Sequence, residues 1–534
     1  MASVVHAPEQ YDAIIIGAGH NGLITACYLA QAGVKVLLLE RYHEVGGAAI
    51  SEQTPEGFTL STGSYVLSLV PRQIFDELGV WSELELLERN PRFFAPFPDG
   101  TSLTMWNDHA RWLDNIRRIS PHDADAYDRY DNAVEIACAV MDKYILGRPP
   151  SWDQVASNFR TPEEQKIFQM FYLGAVADIA EYYFDSDQMQ ATVSSSGLIG
   201  TFRGPRDPGT GYVKLYHSMG MSTGHRGRWA YVRGAMGAIT QALRKVAVRS
   251  GVTIRTNTDV AQITVHNGRA TGVELSDGQT INANLVISNA DPKRTYLNLV
   301  DESDIPADYR RAIQAIKIES PVIKINMAVR ELPKFLALPD DQQLQGSTGG
   351  LFIAPSIDYL QTAYYEAKLG NPATHPFMNI HMQSAIDRSI VPNGEGHTIS
   401  IFTQYFPYTL AQGTWDERRE EIANNVIREF AIYAPNIPDA IISKQVLAPP
   451  DVEARFGMTG GHIFHGELIP EQAFDMRPVP GSSSYEGPIG GLFLCGSGGW
   501  PGGCVMGAPG HNAAKEIIAR MSEGRIFTGA SVQA

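Results

Sequence analysis

Three glycines near the amino terminus, Gly17, Gly19 and Gly22, have the spacing G-x-G-x-x-G, which is typical of a backbone segment that binds the diphosphate of a dinucleotide. Gly17 permits a tight turn, Gly19 lets the diphosphate approach the backbone, and Gly22 lets a strand and a helix pack closely. We predict that the helix begins near His20 and Asn21, where free N–H groups and a partial positive charge face the phosphates. The chemistry indicated is that of a dinucleotide cofactor.

The residues around these glycines predict a β-α-β unit. Residues 11–16 and 34–39 are short apolar runs, and residues 21–32 combine good helix formers with helical spacing. Two buried strands joined by a helix within about thirty residues imply a parallel sheet. Glu40 closes the second strand, where we expect its carboxylate to accept hydrogen bonds from a ribose diol.

A second glycine motif follows the acidic strand end. Gly46 and Gly47 come shortly after Glu40 and precede Ala48. This placement resembles the extended motif of flavoproteins with two dinucleotide-binding domains, in which such a pair lies against the diphosphate and ribityl region of FAD. NAD and FAD share the first motif, so the glycine pair decides between them and predicts FAD.

The carboxyl-terminal end carries a comparable pattern of strand, loop and helix. Residues 491–494 predict a buried strand, the following residues to 506 are rich in glycine, and residues 507–520 predict a helix. A helix N-terminus directed at a ligand would stabilise the negative charge of a reduced flavin. Both ends of the chain are therefore expected to contribute to one flavin site.

The central part of the chain mixes strands and helices. Residues 251–288 predict a β-meander that returns to the sheet, and residues 321–329 and 397–406 predict strands of a second sheet. Residues 161–190 carry a long apolar pattern that favours a core helix, with the lining of an apolar substrate tunnel as the alternative. A chain of 534 residues is too long for one core, which favours two closely packed domains.

Composition excludes several classes of function. The net charge of −15 argues against nucleic acid as a partner, because such binding depends on clustered lysine and arginine. The four cysteines lack the spacing of a redox dithiol or a metal site, which fits a reducing compartment. The amino terminus has no secretory signal, and no apolar run reaches the ~20 residues of a membrane span. These features predict a cytoplasmic protein and leave peripheral membrane contact open.

Six segments spread over nearly the whole chain carry a resemblance to a known family. They are IIIGAGHNGL (14–23), ERYHEVGGAA (40–49), YVRGAMGAITQAL (231–243), GGHIFHGEL (460–468), MRPVPG (476–481) and GLFLCGSGGWPGGCVMGAPGHNAA (491–514). They resemble the bacterial-type phytoene desaturase family of carotenoid oxidoreductases, in particular the branch of the CrtO-type carotene ketolases and pyridine nucleotide-disulphide oxidoreductase domain-containing protein 2. Members of the family act on long apolar polyenes.

The resemblance implies an α/β fold, in which a doubly wound FAD-binding (Rossmann-like) domain is interleaved with a mixed-sheet substrate domain and a helical region. The FAD-binding domain would comprise residues 1–70, 230–300 and 485–534, and the substrate-binding and helical domain residues 71–229 and 301–484. A disulphide reductase needs a second nucleotide-binding fold and a dithiol, and the sequence shows neither. We therefore expect neither efficient use of NAD(P)H nor disulphide chemistry.

The resemblance also assigns residues of this chain to the flavin. The implied contacts beyond His20 and Asn21 come from Gly17, Gly19, Gly22, Glu40, Arg41, Gly46, Gly47 and Ala48. It further puts the backbone of Val260 beside the adenine and Gly496, Val505 and Met506 near the isoalloxazine. Thr62, Gly63 and Ser64 fall where the chain of such proteins passes close to the flavin.

Catalytic residues are not marked by any clear acid–base pair. His217, His225 and His465 are weak candidates for a proton acceptor beside the substrate, and a structural role is the alternative for each. The H-x-x-H pattern formed by His462 and His465 lacks a third ligand of the right kind nearby, so we predict no metal site.

Together these observations predict an FAD-dependent oxidoreductase that acts on a long apolar, carotenoid-like or other isoprenoid or lipid substrate. The reaction would be desaturation, isomerisation or ketolation, with the flavin N5 as hydride acceptor. No nicotinamide site is visible, so a quinone or O2 is expected as the electron acceptor. Two alternatives stay open: a flavin oxidase of a smaller molecule such as an amine, and a flavoprotein with mainly a partner or assembly role. The oligomeric state is not predicted.

Overall fold

The computed structural model describes residues 10–526 of the chain. Its strands are β1 (Ala13–Ile16), β2 (Val36–Leu39), β3 (Ser51–Gln53), β4 (Thr59–Ser61), β5 (Leu86–Glu88), β6 (Phe93–Pro96), β7 (Ser102–Met105), β8 (Ala230–Val232), β9 (Thr253–Arg255), β10 (Val260–His266), β11 (Arg269–Leu275), β12 (Thr280–Asn282), β13 (Leu285–Ser288), β14 (Val322–Val329), β15 (Gly350–Ile353), β16 (Phe377–His381), β17 (His397–Gln404), β18 (Ile441–Leu447) and β19 (Leu492–Leu494). Its helices are α1 (His20–Gln31), α2 (Arg72–Leu78), α3 (His109–Arg117), α4 (Pro121–Asp142), α5 (Trp152–Ala156), α6 (Pro162–Phe168), α7 (Val176–Tyr183), α8 (Asp187–Ser195), α9 (Thr210–Ser218), α10 (Gly237–Arg249), α11 (Ala307–Gln314), α12 (Gln343–Thr348), α13 (Ile357–Lys368), α14 (Trp415–Ala431), α15 (Ile437–Ala440), α16 (Pro449–Phe456) and α17 (Ala508–Ser522).

A parallel sheet contains the predicted β-α-β unit. Its strand order is β19-β13-β1-β2-β9, and all neighbours are parallel. Successive side chains of β1 pack in two different hydrophobic cores, one on each face of the sheet, because side chains of a strand point alternately to opposite faces. Ala13 and Ile15 pack with α1, α10 and α17, whereas Ile14 and Ile16 pack with the meander β10-β11-β12. The sheet is thus the middle of three layers, and the predicted α/β fold is confirmed.

A second, mixed sheet has the strand order β18-β14-β17-β16-β15-β6-β7. Its neighbours are antiparallel except β15 and β6, which are parallel. One face is buried against α14, with Ile323, Ile401 and Phe430 in the shared core. The opposite face, which carries Lys324 and Phe402, is directed at a cavity. The strands predicted within residues 321–329 and 397–406 belong to this sheet and are confirmed.

Helices α3, α4, α8 and α9 also contribute side chains to this cavity. The prediction of a single helix over residues 161–190 is wrong, because the structure divides this segment into α6, a π turn, α7 and α8. Gly174 is extended, with φ −77° and ψ 179°, and ends the first part. The Ser186 side chain accepts a hydrogen bond from the Met189 N–H and so starts α8 anew.

The chain passes between the two sheets several times. The parallel sheet takes strands from residues 13–39, 253–288 and 492–494, and the mixed sheet takes strands from 93–105 and 322–447. This alternation is of the kind that the interleaved arrangement implies, while the exact domain boundaries stay a prediction. Among residues 10–526, no helix combines the length and apolar composition that a membrane span requires.

Candidate active site

One cavity of about 460 Å³ lies between the parallel sheet, the mixed sheet and the helical region. At one end its wall includes Glu40 and Val260, and at the other it includes Trp112 and Tyr130. The two predicted glycine motifs lie at the first end, and side chains from the mixed sheet and α3, α4, α8 and α9 line the second. A single space therefore joins the predicted cofactor site to a region that no motif marked.

The loop after β1 is a tight cradle at the start of α1. Gly17 has φ +93°, and a β-carbon added to Gly22 would lie 2.2 Å from the Gly17 carbonyl oxygen. Gly19 is the N-cap of α1 and offers no side-chain cap, so the first N–H groups of the helix remain open to a ligand. His20 and Asn21 both line the cavity, and each has a buried polar atom, Nε2 and Oδ1, without a partner among residues 10–526. This cradle fits a diphosphate.

Glu40 follows β2 and is 8 % exposed. Its Oε2 accepts a hydrogen bond from the Ala18 N–H at 2.8 Å, and its Oε1 accepts one from the Tyr42 N–H at 2.9 Å. Burial raises the pKa of this carboxyl, and the two N–H groups oppose that rise. Each oxygen keeps a further lone pair, so Glu40 fixes the glycine loop and can still accept from a diol.

The second glycine motif packs directly on the first. The Gly46 N–H donates to the Ala18 carbonyl at 2.9 Å, and a β-carbon on Gly47 would lie 3.4 Å from the Gly19 Cα. The Ser64 N–H donates to the Ala48 carbonyl at 2.9 Å. The structure therefore brings residues 46–48 and 63–64 to the same wall as Gly17, Gly19, His20 and Asn21, while Gly22 does not line it.

Thr62 differs from its neighbours Gly63 and Ser64. It is fully buried and does not line the cavity. Its hydroxyl donates to Glu52 Oε2 at 2.9 Å, and its carbonyl accepts from the Asn326 side chain at 3.0 Å. We interpret Thr62 as a residue that joins this loop to the mixed sheet.

The end of the cavity near Glu40 has the composition expected beside an adenosine. Val260, the first residue of β10, lines it together with Thr258 and Asp259. Arg41 also lines it, and its guanidinium donates to the carbonyl oxygens of Ala454 and Arg455 at 2.9 and 2.7 Å. Arg41 thus connects the cofactor end to the last turn of α16. Sequence reasoning missed Arg294 and Arg455, which lie on the same wall.

The carboxyl-terminal loop contributes less of the wall than predicted. Val505 lines the cavity, but Gly496 and Met506 do not. A β-carbon on Gly496 would lie 2.6 Å from the Asn289 carbonyl oxygen, so this glycine permits close packing of two backbone segments. The sulfur of Met506 accepts a hydrogen bond from the Tyr216 hydroxyl. The first turn of α17 packs on α1 and is likewise absent from the wall, where sequence reasoning expected it to face a ligand.

Cys504, which sequence reasoning did not select, lies on the wall beside Val505 and adopts φ +66°. Its Sγ is 3.8 Å from Nε2 of His217. The other ring nitrogen of His217, Nδ1, is 2.8 Å from the Val213 carbonyl and donates to it, so Nε2 is an acceptor. Burial lowers the pKa of His217 to about 4, which keeps the imidazole neutral. A thiol and a neutral imidazole therefore face each other on the wall.

The other histidine candidates have different surroundings. His465 lines the cavity, and its Nδ1 has no partner in the described part of the chain. His225 is exposed and lies in a turn away from the wall, so the structure does not bring it to the site. His462 is buried but does not line the cavity.

Three possible metal ligands, His122, Asp123 and Asp185, come together near the surface. Asp123 already accepts hydrogen bonds from the N–H groups of Asp185 and Ser186. We interpret this group as the connection between the starts of α4 and α8, and it does not include the histidines of the H-x-x-H pattern.

The central wall carries a polar cluster that no motif announced, formed by Tyr65, Arg89, Lys324, Asn379 and His381. The Tyr65 ring lies 4.7 Å from the His381 ring, and Lys324 Nζ is 5.0 Å from the Tyr65 ring centre. Burial lowers the pKa of Lys324 to about 7. We call this group the polar wall cluster. Of its members only Lys324 gave a sequence signal, as a lone charge inside an apolar strand.

Beyond the polar wall cluster, the cavity becomes largely aromatic. Phe93 of β6 lies 5.8 Å from the Trp112 ring and 5.6 Å from the Phe352 ring. The aromatic side chains of this arm are Phe93, Trp112, Tyr127, Tyr130, Trp229, Phe352 and Phe464. The exposed residues Asp131 and Glu135 also belong to the wall, so the arm reaches solvent beside α4.

Comparison with known proteins identifies the family. Residues 22–518 match the profile described as flavin containing amine oxidoreductase. The chain belongs to this family. It is therefore an FAD-dependent oxidoreductase, and FAD is its cofactor. When bound, FAD supplies the capacity to take two electrons from a substrate. The residues that fit it are those of the glycine cradle, Glu40, the Gly46–Gly47 loop and the wall around Val260.

Individual relatives extend over almost the whole chain. Pyridine nucleotide-disulfide oxidoreductase domain-containing protein 2 of Rattus norvegicus is 36 % identical over 550 residues, which cover 95 % of this chain and 93 % of the relative. A component of the limonene dehydrogenase of Castellaniella defragrans is 26 % identical over 96 % of this chain and 95 % of its own. Prolycopene isomerase 2 of an Oncidium hybrid cultivar is 25 % identical over 84 % of this chain and 74 % of the relative.

Solved structures support the fold alone. Cyclohexylamine oxidase from Brevibacterium oxydans has a TM-score of 0.54 and 16 % identity, over 97 % of this chain and 99 % of that chain. The family and the fold are thus fixed, and the substrate is the open question.

Proposed function

We propose that this flavoenzyme acts on a long, largely apolar isoprenoid or related lipid, by desaturation, isomerisation or oxygenation. The observation that carries the proposal is the aromatic arm, which continues from the cofactor end of the cavity to solvent. Buried aromatic and aliphatic walls gain free energy by covering apolar surface and offer few hydrogen bonds to a small polar molecule. An elongated hydrocarbon chain matches such a wall.

The named relatives support the same substrate class. Limonene dehydrogenase and prolycopene isomerase are named for isoprenoids, and both align over most of this chain. The six segments that resemble the phytoene desaturase family point in the same direction. We assign the chain to this carotenoid-related branch as part of the proposal.

The facing pair of Cys504 and His217 is the proposed proton acceptor. When bound, FAD would supply the hydride acceptor for a dehydrogenation, and the chain's own residues would have to accept the accompanying proton. Nε2 of His217 has a lone pair directed at the Cys504 thiol, so a proton released at the wall can reach it through that thiol. The acceptor of the electrons would be a quinone or O2, and peripheral contact with a membrane would supply the substrate.

Oxidation of a small amine is the second candidate, favoured by the name of the family. The charges on the wall argue against it. Arg89 is a buried cation on the cavity wall, and a protonated amine beside it would be repelled in a medium of low dielectric constant. An amine substrate would have to enter as the neutral base or stay near Asp131 and Glu135.

The test is a pigment profile in bacteria engineered to accumulate phytoene, lycopene or β-carotene. Each host expresses the chain or, as a matched control, Gly22→Val, in which the added side chain collides with the Gly17 carbonyl and removes the cofactor site. A new desaturated, isomerised or oxygenated product only with the unaltered chain supports the proposal and names the reaction.

The same purified protein separates the two candidates. Under anaerobic conditions, bleaching of the flavin absorbance reports any compound that reduces the enzyme. Bleaching by putrescine or cyclohexylamine, together with unchanged pigments in all hosts, would contradict the isoprenoid proposal and favour the amine.

A further inference from the structure

We propose that the polar wall cluster binds an anionic head group, a carboxylate, on an otherwise apolar substrate. This inference rests on the proposed function, because it places the apolar body of the same substrate in the aromatic arm. It narrows the substrate class from hydrocarbons to isoprenoid or lipid acids.

Arg89 is the main evidence, because its charge is buried without an opposite charge. The residue is 8 % exposed and lines the cavity. Its Nε donates to the Trp229 carbonyl at 2.8 Å, its Nη1 lies 3.4 Å from Nδ1 of His381, and its guanidinium lies 5.5 Å from the Tyr231 ring centre. No ion pair in residues 10–526 includes it. Isolating a charge from water is unfavourable unless a partner offsets the lost hydration.

Lys324, on β14, is the second buried basic side chain of the cluster. It is 4 % exposed, and its Nζ donates to Asn326 Oδ1 at 2.6 Å and to the Ser400 hydroxyl. Within the described residues it too has no carboxylate partner. Arg89 supplies the permanent positive charge of this wall, to which Lys324 adds only when it is protonated, and the resulting potential favours an anion in the space between them.

His381 and Asn379 supply polar atoms that the rest of the described chain leaves unused. Nε2 of His381 and Oδ1 of Asn379 are buried and have no partner within residues 10–526, and the two residues are 4 % and 5 % exposed. Because Arg89 donates to Nδ1 of His381, the ring proton belongs on Nε2, which is then a donor. As placed, Nδ2 of Asn379 donates to the Tyr65 hydroxyl at 3.4 Å and Oδ1 is unpaired. In the opposite orientation of the amide, the Tyr65 hydroxyl donates to Oδ1, and Nδ2 becomes the free group, which can donate to an anion.

The position of the cluster explains how one ligand would use both parts of the cavity. Asn379 of β16 pairs in register with Phe402 of β17 and with Phe352 of β15, and all three face the cavity. An anion bound at Asn379 therefore has aromatic rings on both sides along the same sheet face. The head group would fix the orientation of the apolar body, as a few polar groups do in most ligand pockets.

Three probes test the inference on the purified, FAD-loaded protein. Retinoate has a polyene and a carboxylate, retinol has nearly the same polyene without the charge, and benzoate has the carboxylate without the polyene. Tryptophan fluorescence and flavin absorbance measure each dissociation constant. We expect retinoate to bind at least tenfold more tightly than retinol, because the charge-assisted hydrogen bonds to Arg89 are lost with the alcohol.

Substitutions assign the preference to the cluster. Arg89→Met should reduce the retinoate preference to less than threefold and leave retinol binding and FAD content unchanged, and Arg89→Lys should keep part of it. Arg233→Met is the matched control, since Arg233 lies outside the cavity and pairs with Glu85. If Arg89→Met fails to fold, the ratio of the retinol and retinoate dissociation constants of the unaltered protein still shows whether the cavity prefers the anion.

The outcomes separate this inference from the proposed function. Equal binding of retinoate and retinol overturns the anion site and leaves the apolar substrate in place. Binding of benzoate alone supports the anion site and contradicts the long apolar substrate. Loss of FAD from a folded Arg89→Met protein would assign Arg89 to the cofactor and overturn the inference, and no binding by any probe contradicts both.

Discussion

Removal of the Glu40 carboxylate is expected to weaken FAD binding strongly and to destabilise the apoprotein moderately. In Glu40→Ala, the N–H groups of Ala18 and Tyr42 lose their acceptors at 2.8 and 2.9 Å. Ala18 is fully buried, so its N–H stays unsatisfied, whereas Tyr42 is half-buried and its N–H can reach water. One orphaned buried donor lowers the free energy of unfolding by about 1–3 kcal/mol.

Removal of the Glu40 carboxylate also lowers the affinity for FAD, because the ribose diol loses its charged acceptor. A hydrogen bond to a charged acceptor is worth about 1.5–3 kcal/mol, which corresponds to a factor of roughly 10 to 150 in the dissociation constant. In Glu40→Gln, the side chain should keep less than half of this hydrogen-bond contribution to FAD binding, because an amide offers one acceptor oxygen where the carboxylate uses two. The change in FAD affinity should therefore exceed tenfold in Glu40→Ala and be smaller in Glu40→Gln.

Titration of FAD into deflavinated protein, followed by flavin fluorescence, measures the affinity, and urea unfolding of the apoprotein measures the stability. Glu44→Ala is the control. Its carboxylate lies four residues away, accepts from the Gln241 side chain at 2.9 Å and does not line the cavity. An affinity of Glu40→Ala within twofold of the unaltered protein would refute the role assigned to Glu40.

Three further changes test other parts of the site. Gly22→Ala should yield protein without FAD, because its β-carbon would lie 2.2 Å from the Gly17 carbonyl oxygen, while Gly33→Ala, with nothing within 4 Å, should keep a full complement by absorbance. N-ethylmaleimide should modify one thiol of the native apoprotein, Cys504, which is the only one of the four cysteines that is not fully buried, and the reaction should be slow and speed up with pH because its surroundings raise the pKa of this thiol. Intact mass should show no adduct in Cys504→Ser or after FAD is added. Burial lowers the pKa of Lys324 to about 7, so between pH 7 and the unfolded value of 10.5 the unfolded chain binds the extra proton and stability rises with pH, by at most about 1.4 kcal/mol per unit. Lys324→Met should remove this slope in urea unfolding at pH 7, 8 and 9, and an unchanged slope would contradict the buried, neutral lysine.

Contiguous motifs made the cofactor half of the site predictable. The cradle from Gly17 to Gly22 and the pair Gly46–Gly47 are local in sequence, and each glycine answers a local steric demand that the structure shows. The same holds for the strands of both sheets, whose alternation follows the two faces. FAD followed from these segments because its diphosphate needs little more than a backbone loop and a helix start.

The substrate half depends on contacts between distant segments, and sequence alone could not reveal it. Arg89 precedes β6, Lys324 lies on β14 and His381 ends β16, so only the strand order of the mixed sheet brings them together. The failed single helix over residues 161–190 has a local cause that could have been weighed, since Gly174 interrupts the pattern. His225 was predicted as a candidate proton acceptor only because it is a histidine. No sequence pattern indicated where it lies, and the structure puts it in an exposed turn.

The order of strands in the parallel sheet has a consequence for how the protein is made. β1 is flanked by β2, which is synthesised soon after it, and by β13, whose Leu285 pairs with Ala13 from far along the chain. At ribosomal rates this delay is on the order of tens of seconds, and β19 and α17 follow later still. The nascent amino-terminal unit therefore waits with one sheet edge open, available to chaperones. FAD capture should come only after β19 and the loop that follows it have been synthesised, and premature termination before β19 should yield an aggregating product.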